Sequence, residues 1–133
     1  MKAYYVYCDG GSRDNQDPVK RSGYGSFLVT RNPYPNHEAG RLTSKFFTFG
    51  KITNNQAEYR TLIEALEYCI QEFIPEPHIY TDSELVVSQL DGSYKTKDSE
   101  LRPLRALAAA NIKLIKATVE KTPREVIFAV LGH

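Results

Sequence analysis

Three carboxylates in this chain have the type and placement to do chemistry: Asp9, which ends the run AYYVYCD; Glu58, within TNNQAEYRTLIEAL; and Asp82, which ends HIYTD. Asp9 and Asp82 each follow aromatic and branched residues, so each is expected at the carboxyl end of a strand, where open α/β sheets commonly collect ligands. Glu58 lies four residues before Leu62 and eight before Leu66, on the apolar stripe of a helix and therefore facing the sheet. Singly, each acid has a plain structural role. Asp9 serves as a turn residue before Gly10-Gly11, Asp82 as a cap for a helix beginning at Ser83, and Glu58 as a first-turn partner of the helix dipole. Converging, the three would repel one another and raise one another's proton affinity unless a divalent ion were bound among them. An oxygen-only donor set favours Mg²⁺ or Mn²⁺. Paired metals held this way suit in-line attack at phosphorus, and the natural inference is phosphodiester hydrolysis.

The elements that must position these acids follow from the pattern. Residues 3–9 read as a strand ending in a Gly10-Gly11 turn, 24–30 as a second strand, which the GYG of residues 23–25 joins at its start, and 41–50 as a third, joined by turn-rich loops into an antiparallel meander. From Asn55, the stripe Leu62, Leu66, Cys69, Phe73 predicts a helix that stops before Pro75 and Pro77. A short strand at 78–82 and a short helix at 83–90, ended by Gly92, come next. Leu101, Leu104, Ala108, Ile112 and Ile115 mark a longer helix capped by Asp98 or Ser99, with Pro103 in its first turn. VIFAVL at 126–131 reads as a strand buried on both faces. The sum is an α/β mixed sheet with helices packed on its faces.

At 133 residues the chain fits one domain, and 41% hydrophobic with 25% charged residues is far from the composition of disorder. The net charge of +1 hides an asymmetry: Ser93 to Arg124 holds eight Lys or Arg against three acids, and the remainder is net negative. That basic stretch is either a solvated helix face or a surface for a polyanion. Cys8 and Cys69 lack metal or redox spacing and suit buried positions in a reducing compartment. The N-terminus begins a strand instead of a signal peptide, and no apolar run has the length of a membrane span. A soluble, cytoplasmic protein and a monomer are the expectations.

The segments YCDGGSR (7–13), TNNQAEYRTLIEAL (53–66) and IYTDSELVVSQL (79–90), in that order and spacing, resemble type 1 ribonuclease H. The resemblance runs from the first strand to the last residue. It implies a five-stranded mixed sheet, antiparallel over its first three strands and parallel thereafter, with helices on both faces. It also implies cleavage of the RNA strand of RNA/DNA hybrids with Mg²⁺ or Mn²⁺, two ions being held when substrate is bound. By position, Asp9, Glu58 and Asp82 match three of the family's four metal-binding acids. His133 matches a glycine-histidine after the last strand that assists product release or deprotonates the water. Gly10, Gly11, Ser12, Thr53, Asn54, Asn55 and Gln56 resemble its minor-groove readers, joined by Ser83 on the substrate side. The amides are suited to sugar hydroxyls and base edges, and the 2′-hydroxyl distinguishes RNA from DNA.

DGSYKTKDSEL crosses directly to the long helix where many members insert a basic protrusion, so the chain resembles the shorter members. Tyr94, Lys95 and Lys97 then supply a small aromatic and basic contact to the DNA strand. The family's fourth acid, an aspartate beyond the histidine, has no counterpart, and the expectation is a domain spanning 1–133 and truncated at its C-terminus. The same gap favours a rival reading, a hybrid-binding module that does not cut. Two others are weaker. A sugar-kinase-like phosphate loop at Asp9-Gly10-Gly11-Ser12 would need a second domain, and a Ser12/His133/Asp82 hydrolase lacks the G-x-S-x-G elbow. His37, His78 and His133 lack zinc-site spacing.

Overall fold

A computed structural model describes residues 3–132. Strands β1 (Tyr5–Arg13), β2 (Ser22–Thr30) and β3 (Arg41–Gly50) form the expected antiparallel meander, and β4 (His78–Thr81) and β5 (Thr118–Lys121) extend it in parallel. The order across the sheet is β3-β2-β1-β4-β5. Four helices, α1 (Asn54–Gln71), α2 (Glu84–Leu90), α3 (Arg102–Ile115) and α4 (Arg124–Leu131), pack on it.

The two-residue period of the strands divides the core cleanly. Val6, Cys8, Phe27, Val29 and Ile79 meet Leu62, Leu66 and Cys69 of α1, with Val86 of α2 and Ala108 of α3 in the same cluster. On the opposite face Tyr7 and Leu28 meet Ile127 and Val130 of α4. Each fully buried leucine or isoleucine stabilises this arrangement by about 1.5–3 kcal/mol. Both cysteines are buried and unpaired with each other, as small hydrophobes would be.

Several sequence expectations are corrected. VIFAVL is not a strand but most of α4: an unbroken apolar run carries no period, and Ile127 and Val130 alone are buried while Phe128 is exposed, the one-sided burial of a helix. The last strand is instead the polar TVEK segment, which is exposed at the sheet edge except for the half-buried Val119 and so has little apolar signature. β1 does not end at Asp9. Gly10 and Gly11 pair with Gly25 and Tyr24 within the β1–β2 ladder, so the expected turn is strand. Phe73 leaves the α1 stripe at φ +55° and is 91% exposed, because the helix has already ended at Gln71. Neither Asp98 nor Ser99 caps α3, which starts after Leu101 without a side-chain cap; Asp98 instead accepts from the Glu100 amide at 2.7 Å. Pro103 does lie in the first turn, and Gly92 follows α2 at φ +87°.

Candidate active site

β1 and β4 are parallel with Tyr7 opposite Tyr80, a register that, carried two residues further, sets Asp9 level with Asp82. Tyr5 stacks on His78 and Tyr7 on Tyr80 along the same row, so the two aspartates complete a column of cross-strand pairs. Asp9 is buried, at 4% exposure, within a strand, and it is neither a turn residue nor a cap. Asp82 is not a cap either. Ser83 caps α2, its hydroxyl accepting from the Val86 amide at 3.2 Å, which leaves the Asp82 carboxylate outside the helix.

Glu58 arrives from the other face of the sheet. Thr53 and Gln56 start α1 with a capping box, the Thr53 hydroxyl accepting from the Gln56 amide at 3.2 Å and Gln56 Oε1 from the Thr53 amide at 2.8 Å. This fixes the helix so that Glu58 meets β1 at Gly10. A Cβ at Gly10 would overlap the Ala57 carbonyl, so only glycine lets the helix sit this close. The Gly10 amide donates to Glu58 Oε1 at 3.2 Å and the Thr81 hydroxyl to Oε2 at 3.4 Å.

Asp9, Glu58 and Asp82 thereby bring one carboxylate oxygen each within 4.8 Å of one another. Burial foremost, then the charges of Asp9 and Asp82, push the Glu58 carboxyl well above its usual range, against the two hydrogen bonds from Gly10 and Thr81. The donor set is all oxygen, anionic and crowded, which fits a hard divalent cation. Among the described residues no fourth acid joins the group.

Arg124, at the start of α4, was not foreseen. Its Nη1 donates to Asp9 Oδ2 at 3.1 Å and to Asp82 Oδ2 at 3.0 Å. Burial alone works to lower its proton affinity, yet the bonds and charges of the two aspartates together raise it. The missed signal was Pro123-Arg124: proline just before a helix is a start signal, and it contradicted a strand at 126–131.

The remaining candidates fall into two neighbourhoods. Ser12 and Asn54 meet, the Ser12 amide donating to Asn54 Oδ1, and the Asn54 amide donates to Asn15 Oδ1 at 2.8 Å. Asn54 is thus inside the first turn, and Thr53 is the cap. Gly11 lies beside the Tyr24 ring, and Asn55 and Gln56 occupy the next positions of the same turn. At the far end of α2, Tyr94 and Lys95 line a cavity of ≈ 370 Å³ together with Gln89, Thr96, Arg102 and Arg105. Arg102 donates to the Thr96 and Lys97 carbonyls, each at 3.1 Å, and so holds the loop that carries both lysines. His133 lies outside the described residues.

Comparison with known proteins agrees with this geometry. Residues 1–132 match the family model described as RNase H. Ribonuclease HI of Halobacterium salinarum is 36% identical over 104 residues, covering 78% of this chain and 48% of that protein. A bifunctional protein of Mycobacterium tuberculosis is 37% identical over 105 residues, covering 79% of this chain and 27% of that protein, so the chain spans about a quarter to a half of these relatives. The solved N-terminal RNase H domain of that mycobacterial protein superposes with a TM-score of 0.80 at 29% identity, over 94% of this chain and 85% of the other. RNase H1 of H. salinarum superposes at 0.81 and 26%, over 98% and 99%. LC11-RNase H1, solved in complex with an RNA/DNA hybrid, superposes at 0.72 and 30%, over 92% and 86%. The sheet order, the three converging acids and these matches lead to one conclusion: the chain belongs to the RNase H family.

Proposed function

We propose that this protein is an endonuclease that hydrolyses the RNA strand of RNA/DNA hybrids with Mg²⁺ or Mn²⁺, two ions being held when substrate is present. The observation that carries the reading is the convergence of Asp9, Glu58 and Asp82 within 4.8 Å beside the paired central strands β1 and β4 of an RNase H fold. The hybrid complex of LC11-RNase H1 supports the choice of substrate. Divalent ions in such a site supply the Lewis acidity that activates water and stabilises the leaving oxygen.

The chain's own residues hold and orient. Asp9, Glu58 and Asp82 are the metal ligands, and the Gly10 amide and Thr81 hydroxyl fix the Glu58 carboxylate. With its oxygen occupied by Ser12, Asn54 keeps its amide N–H groups for sugar hydroxyls or base edges; Gly10, Gly11, Ser12, Asn55, Gln56 and Ser83 are its proposed companions in substrate contact. Tyr94, Lys95 and Lys97 take the DNA strand, by stacking and by charge. His133 acts at water activation or product release.

A labelled-hybrid cleavage assay in Mg²⁺ and in Mn²⁺ tests this. Asp9→Asn is expected to lower the rate by at least about a hundredfold, beyond what loss of an outer partner of a metal site does. Undiminished cleavage in that variant would remove the mechanism. The second reading, hybrid binding without cleavage, is favoured by the acid group numbering three among the described residues. Tight hybrid binding by a parent protein that does not cut in either metal would select it.

A further inference from the structure

The bridge from Arg124 uses one nitrogen for two acids. Nη1 donates to Oδ2 of Asp9 and Oδ2 of Asp82 at 3.1 and 3.0 Å, taking one oxygen from each of two carboxylates in the three-acid group. A divalent ion shared by these aspartates needs carboxylate oxygens at about 2.0–2.1 Å if it is Mg²⁺, and it would stand against a like charge. We propose that Arg124 is a displaceable counter-cation: it holds Asp9 and Asp82 together in the metal-free protein and surrenders their shared oxygens when a divalent ion binds. Arg124 and metal are therefore competitors for one ligand set, and the inference rests on the metal-binding reading of that set.

Three features of the chain support displacement. The Arg124 side chain is 54% exposed, so it has room to leave. α4 is anchored separately by Ile127 and Val130 against Tyr7 and Leu28, so the swing does not unpack the helix. An arginine in the first turn also opposes the helix dipole, so helix stability does not account for it. What does account for it is the pair of acids 115 and 42 residues away in sequence.

Mn²⁺ titration by calorimetry, without nucleic acid, separates the possibilities, with wild type, Arg124→Gln and Asp9→Asn compared. Arg124→Gln should bind Mn²⁺ roughly three- to tenfold more tightly than wild type, the scale of losing partly exposed charge pairing. In chelator its melting temperature should fall below wild type, and saturating Mn²⁺ should raise it by more than it raises wild type. Wild-type binding that Arg124→Gln leaves unchanged or weakens would overturn the competition while leaving the metal site standing. Absence of Mn²⁺ binding in wild type, equal to Asp9→Asn, would overturn the metal reading itself and this inference with it.

Discussion

At Glu58 a single carboxyl is caught between opposing demands: burial and two neighbouring acids favour its neutral form, whereas metal binding needs it charged. The sign for stability follows. A carboxyl raised above its ordinary 4.5 binds more protons folded than unfolded, so its contribution is retained at acidic pH and is lost as pH rises from 4.5 through the folded value. In chelator, Glu58→Gln should therefore melt at a higher temperature than wild type near neutral pH, and the gap should close toward pH 4. With saturating Mn²⁺ the order should reverse, because only the charged ligand is then an asset. Thermal melts across pH, with and without metal, check both statements, and a variant no more stable than wild type at neutral pH would contradict the first.

Contact between α1 and β1 at Gly10 is the element-scale condition for the site. Gly10→Ala pushes a methyl into the Ala57 carbonyl, so it should destabilise by about 1–3 kcal/mol, the usual cost of overpacking, and should impair cleavage even under conditions where the variant is folded. Denaturant unfolding and cleavage measured on one preparation check it. Thr53→Ala should cost about 1 kcal/mol through loss of a cap and affect cleavage less. At this scale the sequence was informative wherever a period or a motif existed. Leu62, Leu66 and Cys69 marked α1, and the three acids stood out by following apolar strand patterns or sitting on a helix stripe, although Asp9 proved to lie inside β1 and not at its end. It was uninformative where polarity hid a strand, as in TVEK, or where uniform apolarity hid a helix, as in VIFAVL. Arg124 was missed for the second reason: with 126–131 taken as a strand, nothing delivered residue 124 to the acids.

Over the whole molecule the basic stretch becomes a prediction about salt. Lys95, Arg102 and Arg105 gather at one cavity beyond α2, while the acids lie beside the paired strands β1 and β4, so under the proposed function a polyanion would be engaged by one region and acted on in another. Replacing Lys95 and Lys97 together by alanine should weaken hybrid binding and reduce the slope of log affinity against log salt by about 1–2, near 0.7–0.9 per lost phosphate contact. Binding isotherms at several salt concentrations measure the slope, and an unchanged slope would place the nucleic acid elsewhere. The sheet order has a further consequence. β1 is first in the chain yet central in the sheet, with the meander on one side and β4–β5 on the other. A cut in the connection between β3 and α1 would leave Asp9 on one fragment and Glu58 with Asp82 on the other. Neither piece alone could cleave, and recovered cleavage on mixing would be a catalytic reporter of fragment complementation, amplified by turnover.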